Sequence, residues 1–366
     1  MTPTGGTSWR RGPPLAEVLA SLLPDSMDRL LLRACLGDAP SAADAWQTWL
    51  SDTGGLSKAL SDRPASRALM PLLHHSLRGH AIAVADPPLA ILRAASLWET
   101  RRAAEIRAIL RQVMDRLHEA GIRPIALQGI AAGALAYPTF ELRHCHDIAL
   151  LVEEPELIRA SDALKAVGFA AAGQQFSSIN LLHEGGLPVV LHTALWAPTG
   201  MLDPATEFRR RAATAELDGL ALTVFNPTDM LLHLCGQGIE PTEPGNWGWI
   251  ADAAMILRRC GNAGLDWAAL VERAKEYGLS FRLSLRLDYL AKRLGLAIPP
   301  FVTDGLAAAA WRGGRGEWER SLSLARGAFG VRLGAMLRVG GWRSRLAIAQ
   351  WALRRSPRLL GLRVSP

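Results

Sequence analysis

A tight glycine turn between two apolar segments, with a lone aspartate at the head of the second, is the most reactive pattern in this sequence. Leu127-Gln-Gly-Ile-Ala-Ala-Gly133 reads as a strand that turns sharply into a helix, and Arg143-His-Cys-His-Asp-Ile-Ala-Leu-Leu-Val152 as a second strand carrying Asp147. That order suits a phosphate-handling site. The first N–H groups of a helix point at bound anions, and a strand carboxylate can hold a cation that offsets phosphate charge.

Transfer of a nucleoside monophosphate makes a sharper demand. It needs two divalent ions roughly 4 Å apart, bridged by clustered carboxylates that stabilise the attacking and leaving oxygens. Two aspartates at i and i+2 of one strand meet that need, because both point to the same face. Here Asp147 is followed at i+2 by Ala149.

The elements that must position these residues divide the chain into four parts. Residues 1–95 form an N-terminal helical region, with apolar positions at three- and four-residue spacing such as Met27, Leu30, Leu31 and Ala34. A long helix is expected near 96–120, with Trp46 and Trp98 in the core. Residues 96–225 carry an α+β domain. Arg123-Pro-Ile-Ala-Leu127 is its first strand, Ile130 to Tyr137 a helix packed on the sheet, and His146 to Val152 a strand covered on both faces. A helix starts at Glu154-Pro155 and ends at Gly168, and Ile179–His183 with Pro188–Thr193 make a hairpin. Residues 226–310 turn helical again: Asn226-Pro-Thr-Asp229 is a helix start, and Asn246 opens a helix stopped by Gly261. Residues 311–366 are an Arg-rich amphipathic tail.

Several separated motifs, in order, resemble an uncharacterised bacterial nucleotidyltransferase family whose members carry a pattern close to LKGxALxxxxYP…RxxxDIDLLV. The matching residues are Ile125 to Ala132, Tyr137-Pro138, Arg143, Asp147-Ile148 and Leu150-Leu151-Val152. Leu191-His192 with Trp196 is similar to its DLHW-type strand, Asn226-Pro-Thr-Asp-Met-Leu-Leu to its helix opening, and Trp249-Ile-Ala-Asp252 to its W-x-x-D helix. The resemblance covers about residues 95–290. It implies a nucleotidyltransferase-like mixed sheet flanked by N- and C-terminal helical domains. It also implies a nucleoside triphosphate with Mg2+ as cofactor, Asp147 as catalytic metal ligand, and Gln128, Gly129, Arg143 and His192 as nucleotide contacts.

The departures bear on function. Gln128 stands where the family has Lys, Ala149 where it has the second Asp, Val190 where an acidic residue precedes Leu-His, and Gln237 where it has His. A lone Asp147 cannot hold two divalent cations against their mutual repulsion. The expectation is a catalytically impaired member that binds a nucleotide or a partner. The alternative is an active metal-dependent nucleotidyltransferase acting on an unknown acceptor, which acidic residues from distant segments, such as Glu184 or Asp252, would restore. His144, His146 and His192 beside Asp147 and Cys145 offer a transition-metal set instead. Asp147 also has a bland reading, as acceptor of hydrogen bonds from Arg143 or from the turn at Gly129.

Composition bounds the rest. At 366 residues with 49% hydrophobic content the chain is globular, and no apolar run approaches the roughly 18 to 20 residues of a membrane span, so a cytoplasmic location is expected. Cys35, Cys145, Cys235 and Cys260 lie far apart and read as reduced thiols. The net charge of +7 is concentrated at one end: residues 311–366 hold 12 Arg against Glu317 and Glu319, a balance of +10 that leaves −3 for residues 1–310. If helical, residues 320–338 place Leu322, Ala325, Phe329, Leu333, Met336 and Leu337 on one arc with Arg326 and Arg332 at its edges, suited to a protein partner, an anionic membrane surface or the chain's own core. Trp311, Trp318, Trp342 and Trp351 interleave with the arginines, but no nucleic-acid-binding module surrounds them, so nucleic acid is not an expected partner.

Overall fold

A computed structural model describes residues 23–312 apart from 176, 196–204 and 238–246. Trp196, Asn246 and the tail with its amphipathic stretch at 320–338 lie outside the described residues.

The N-terminal region is helical, as its periodicity predicts. Helix α1 (Ser26–Leu36) begins where the Asp25 carboxylate accepts from the Asp28 N–H, and α2 (Ala39–Thr53) is capped by Asp38 and closed by Gly54 at φ +72°. Helix α3 (Leu56–Asp62), a 3-10 turn (Pro64–Leu69) and α4 (Met70–Gly79) follow. Trp46 and Trp49 stack in this core with ring centroids 6.0 Å apart.

The long helix, α5, runs Pro88–Glu119 and so starts earlier than expected, with Pro88 in its first turn. Its buried stripe comprises Leu92, Glu99, Ala103, Ile106, Leu110 and Val113. Trp98 is one residue, about 100° of helical rotation, off that stripe. The expectation of a core residue is therefore corrected: Trp98 is 68% exposed.

The central sheet has the order β1-β2-β5-β4-β3. Strand β1 (Ile125–Ala126) leads into α6 (Gln128–Ala136). Strand β2 (Ile148–Leu151), antiparallel to β1, lies parallel to β5 (Pro188–His192). Helix α7 (Leu157–Lys165) separates β2 from β3 (Ala170–Gln175), and β3 pairs with β4 (Ser178–Leu182), which forms the expected hairpin with β5. Strand β3 had no counterpart in the sequence reading, because Ala170-Ala-Ala-Gly173 lacks the branched side chains that mark strands.

After α8 (Ala205–Arg210), a second hairpin that the sequence reading also lacked pairs β6 (Ala213–Leu217) with β7 (Leu220–Val224). Its turn, Asp218-Gly219, has both residues at positive φ, the backbone of a two-residue hairpin loop. Strand β7 lies against β1 and α6 against β6, so the hairpin backs the glycine turn.

The C-terminal helices are α9 (Pro227–Gly236), α10 (Gly248–Cys260), α11 (Trp267–Glu276), α12 (Ser280–Leu294) and α13 (Pro300–Arg312). The Asn226 side chain accepts from the Asp229 N–H at 3.0 Å, the expected cap on α9, and Gly261 stops α10 at φ +59°. The result is the expected α+β architecture, a small mixed sheet flanked by helices. Among the described residues no helix is long and apolar enough to cross a membrane. The four cysteines are free, with Cys35, Cys145 and Cys235 buried.

Candidate functional site

The backbone first brings the turn and the carboxylate strand together. The Leu127 N–H donates to the Ala149 carbonyl at 2.9 Å, so the end of β1 sits beside the start of β2 and the Gln128–Gly129 turn beside Asp147. Leu127 occupies the N-cap of α6 with no side-chain hydrogen bond, leaving the first-turn N–H groups without a side-chain cap.

Gly129 is not the left-handed residue of this turn; that residue is Gln128, at φ +49°. Holding a residue with a Cβ there costs roughly 1–2 kcal/mol. Glycine is required at 129 for a different reason. A Cβ would stand 2.8 Å from Cys145 Sγ and 3.2 Å from Arg143 Cζ, so the helix start could not close onto the strand.

The sheet register decides which side chains share a face. Ala149 pairs with Val190 and Leu151 with His192 across the parallel strands, while Asn180 lies opposite Val190 on β4. Alternation puts Ala149, Val190, Asn180 and His192 on one side, and the charge of Asp147, in the bend just before β2, is felt by His192 there. The two positions that the resemblance assigns to a second and a third carboxylate are thus neighbours, and both are aliphatic. Ala149 is 1% exposed, so protein atoms occupy the space beside it.

Histidines and one amide line the approach from α9. Burial lowers the pKa of His192, partly opposed by the Asp147 charge. His233, wholly enclosed on α9, is pushed down to about 3 by burial and by His192. The Gln237 amide nitrogen lies 3.4 Å from His233 Nε2. Two arginines of α12 fix this end of α9: Arg282 donates to the Gly236 carbonyl at 2.9 Å, and Arg286 to the Cys235 and Gln237 carbonyls, both at 3.1 Å. Cations at a helix C-terminus satisfy carbonyls left without helical partners.

Arg143 does not meet Asp147. It forms a fork on Asp252, Nε to Oδ1 at 2.6 Å and Nη2 to Oδ2 at 2.9 Å, and also donates to the His144 carbonyl. The Tyr137 hydroxyl donates to the same Asp252 carboxylate at 2.9 Å. Burial opposes the charge on Arg143, but Asp252 outweighs it and holds the guanidinium pKa above its ordinary value. Arg143 therefore ties the segment that leads into β2 to α10 and backs the turn, and the reading of Asp147 as its acceptor is corrected.

The segment 139–147 crosses α5 as a strap. Glu141 accepts from Arg107 at 2.9 Å, His144 Nδ1 lies 2.7 Å from Glu99, and the Cys145 carbonyl accepts twice from Arg102, at 2.7 and 3.0 Å. The sequence reading missed Glu99, Arg102 and His233. Glu99 carried a signal: a carboxylate in phase with the apolar stripe of a helix is buried only with a partner.

The fit of divalent metal follows from these donors. Asp252 is neutralised by Arg143, and Glu184 is exposed in the β4–β5 turn. Cys145 Sγ is buried behind Gly129, and burial pushes its pKa up to about 12. His144 turns to Glu99. Among the described residues no group of three or more His, Cys, Asp or Glu side chains is arranged to hold a metal ion. Among the described residues this donor set offers fewer free carboxylates than a pair of divalent cations requires.

Residues 62–295, more than half of the chain, match the model of a family described as uncharacterised nucleotidyltransferase. No curated protein matches. Among solved structures, the crystal structure of JHP933 from Helicobacter pylori aligns at 13% identity over 61% of this chain and 96% of that one, with a TM-score of 0.30. By the extent of the family match, the chain belongs to the uncharacterised nucleotidyltransferase family.

Proposed function

We propose that this chain is a nucleotidyltransferase-fold protein impaired in two-metal transfer, which acts by binding a nucleotide or a partner. The observation that carries the reading is the in-register pair Ala149 and Val190 beside Asp147. Two methyl-bearing side chains stand where a triphosphate and its metals need anionic oxygens. Nucleotidyltransferases generally use a nucleoside triphosphate with a divalent metal.

The phosphates of a nucleotide would meet the uncapped N–H groups of α6 and the side chain of Gln128. Gln128 replaces a cation with a neutral donor, so binding depends less on salt than a lysine contact would. Gly129 and Arg143 shape the turn from behind. His192 stands on the same face of the sheet as Ala149, and burial lowers its pKa so that the neutral imidazole is favoured. Asp147 can contribute to one cation at most, which keeps weak, metal-assisted binding within reach without the geometry for transfer.

The Arg-rich residues 311–366 supply a second binding element, suited by charge to an acidic protein surface or anionic lipid. The test of the nucleotide reading is calorimetric titration of the purified chain with each nucleoside triphosphate, with and without Mg2+ or Mn2+, repeated on Asp147→Ala. Binding that survives both metal removal and the substitution is expected. Tight binding that requires metal and disappears in Asp147→Ala, accompanied by pyrophosphate release, would instead establish an active enzyme.

A further inference from the structure

A separate cavity of about 450 Å3 lies between α4, α5 and the start of the strap. It is lined by His74, His75 and Arg78 of α4, Ser96 and Thr100 of α5, and Glu141 of the strap, among others. Ser96 and Thr100 stand on the flank of α5 that bears Arg107, roughly 120–160° around the helix from Arg102. The cavity therefore opens on the side of α5 away from the contact between Arg102 and Cys145. Its volume falls within the roughly 300–1,000 Å3 of small-molecule sites.

The polar groups of this cavity divide into engaged and available. Thr100 gives its hydroxyl proton to the Ser96 carbonyl at 3.0 Å, and Glu141 is held by Arg107. Its only carboxylate among those named is thus already neutralised. Ser96 Oγ lies 2.7 Å from His74 Nδ1, which leaves the other ring nitrogen of this buried imidazole for a further contact. Arg78 and His75 are exposed, and among the described residues neither side chain has a hydrogen-bond or ion-pair partner. The local field is positive: burial first, then Arg78, Arg93 and His75, lower the pKa of His74.

We propose that this cavity binds a small phosphate monoester, its phosphoryl group held by Arg78, His75 and His74. A dianion with three oxygens can engage a guanidinium fork and ring N–H donors together, where a single carboxylate offers two oxygens and half the charge. The walls contributed by Pro71 and Leu142 leave apolar room for the remainder of a small molecule.

The experiment is calorimetric titration with glycerol 3-phosphate, without metal, on the wild type, Arg78→Ala, Arg78→Lys and His75→Gln. Saturable binding is expected, weakened about tenfold or more in Arg78→Ala and only partly restored in Arg78→Lys, which keeps the charge but loses the fork. It should persist when ATP is present in excess, because the α6 turn is a different site. Arg78 is exposed, so Arg78→Ala should melt like the wild type; if it does not, His75→Gln, expected to bind several-fold more weakly, carries the test. No saturable binding to the wild type, unchanged affinity in Arg78→Ala or His75→Gln, or displacement by ATP overturns the proposal. Equal affinity for succinate overturns the phosphate assignment.

Discussion

Removing the Asp252 carboxylate should be among the most damaging single changes in this protein. Asp252 is 1% exposed and receives three hydrogen bonds, two from Arg143 at 2.6 and 2.9 Å and one from Tyr137 at 2.9 Å. In Asp252→Ala the Arg143 guanidinium, 15% exposed, keeps its charge and loses its counterion. An orphaned buried charge costs about 3–5 kcal/mol. For a folded unit of this size each kcal/mol corresponds to roughly 2 °C of melting temperature, so a drop of about 6–10 °C is expected. Tyr137→Phe removes one hydrogen bond to a charged acceptor and should cost about 1.5–3 kcal/mol. The assay is thermal unfolding followed by circular dichroism. The double variant Arg143→Met/Asp252→Leu, which removes both charges, should be more stable than Asp252→Ala alone. An Asp252→Ala protein melting within about 1 °C of the wild type, or a double variant whose losses simply add, would refute the reasoning.

Gly129→Ala should destabilise the protein by about 1–3 kcal/mol, read as a lower urea midpoint, because its Cβ meets Cys145 Sγ at 2.8 Å; Gly129→Ala combined with Cys145→Ala should recover part of that loss. Stability should fall below neutral pH through His233. Its folded pKa, about 3, lies below the ordinary value of 6.5, so the unfolded chain takes up the proton first. The contribution is complete above about pH 6.5 and is lost by about 1.4 kcal/mol per pH unit as pH falls toward 3. His233→Gln should flatten that slope in melting curves between pH 7 and 5, and an unchanged slope would remove His233 as its source. Ala149→Asp/Val190→Asp places two carboxylates beside Asp147. This variant should melt lower than the wild type without metal and gain several degrees on adding Mn2+, whereas the wild type should not respond.

Local chemistry explains why much of this architecture was legible in the residue order. Asn226-Pro227 starts a helix wherever it stands, because the side chain caps and the proline needs no N–H partner. Gly261 ends α10 because its backbone sits at positive φ. The apolar run from Ile148 to Leu151 forms a strand covered on both faces. The motif order sets the Gln128–Gly129 turn against the strand that follows Asp147, and the Leu127 N–H bonded to the Ala149 carbonyl joins β1 to β2 there. Hairpin β6–β7 could have been foreseen from Asp218-Gly219, whereas β3, made of small residues, could not.

What chain order cannot supply is the partner of each charged group. Arg143 lies four residues from Asp147 in sequence, yet the fold commits it to Asp252, 109 residues away. Glu99 and Arg102 lie in a helix that reads as amphipathic filler, and only the crossing of residues 139–147 over α5 makes them clamps on His144 and Cys145. The sequence by itself determined the fold class, the helix boundaries set by caps and glycines, and the shortage of acidic residues along β2 and β5. Tertiary structure alone decided that Ala149 and Val190 stand side by side and that Asp252 is already neutralised. Propensity and capping act over a few residues, whereas burial forces each charge to find a counterion wherever the packed chain brings one.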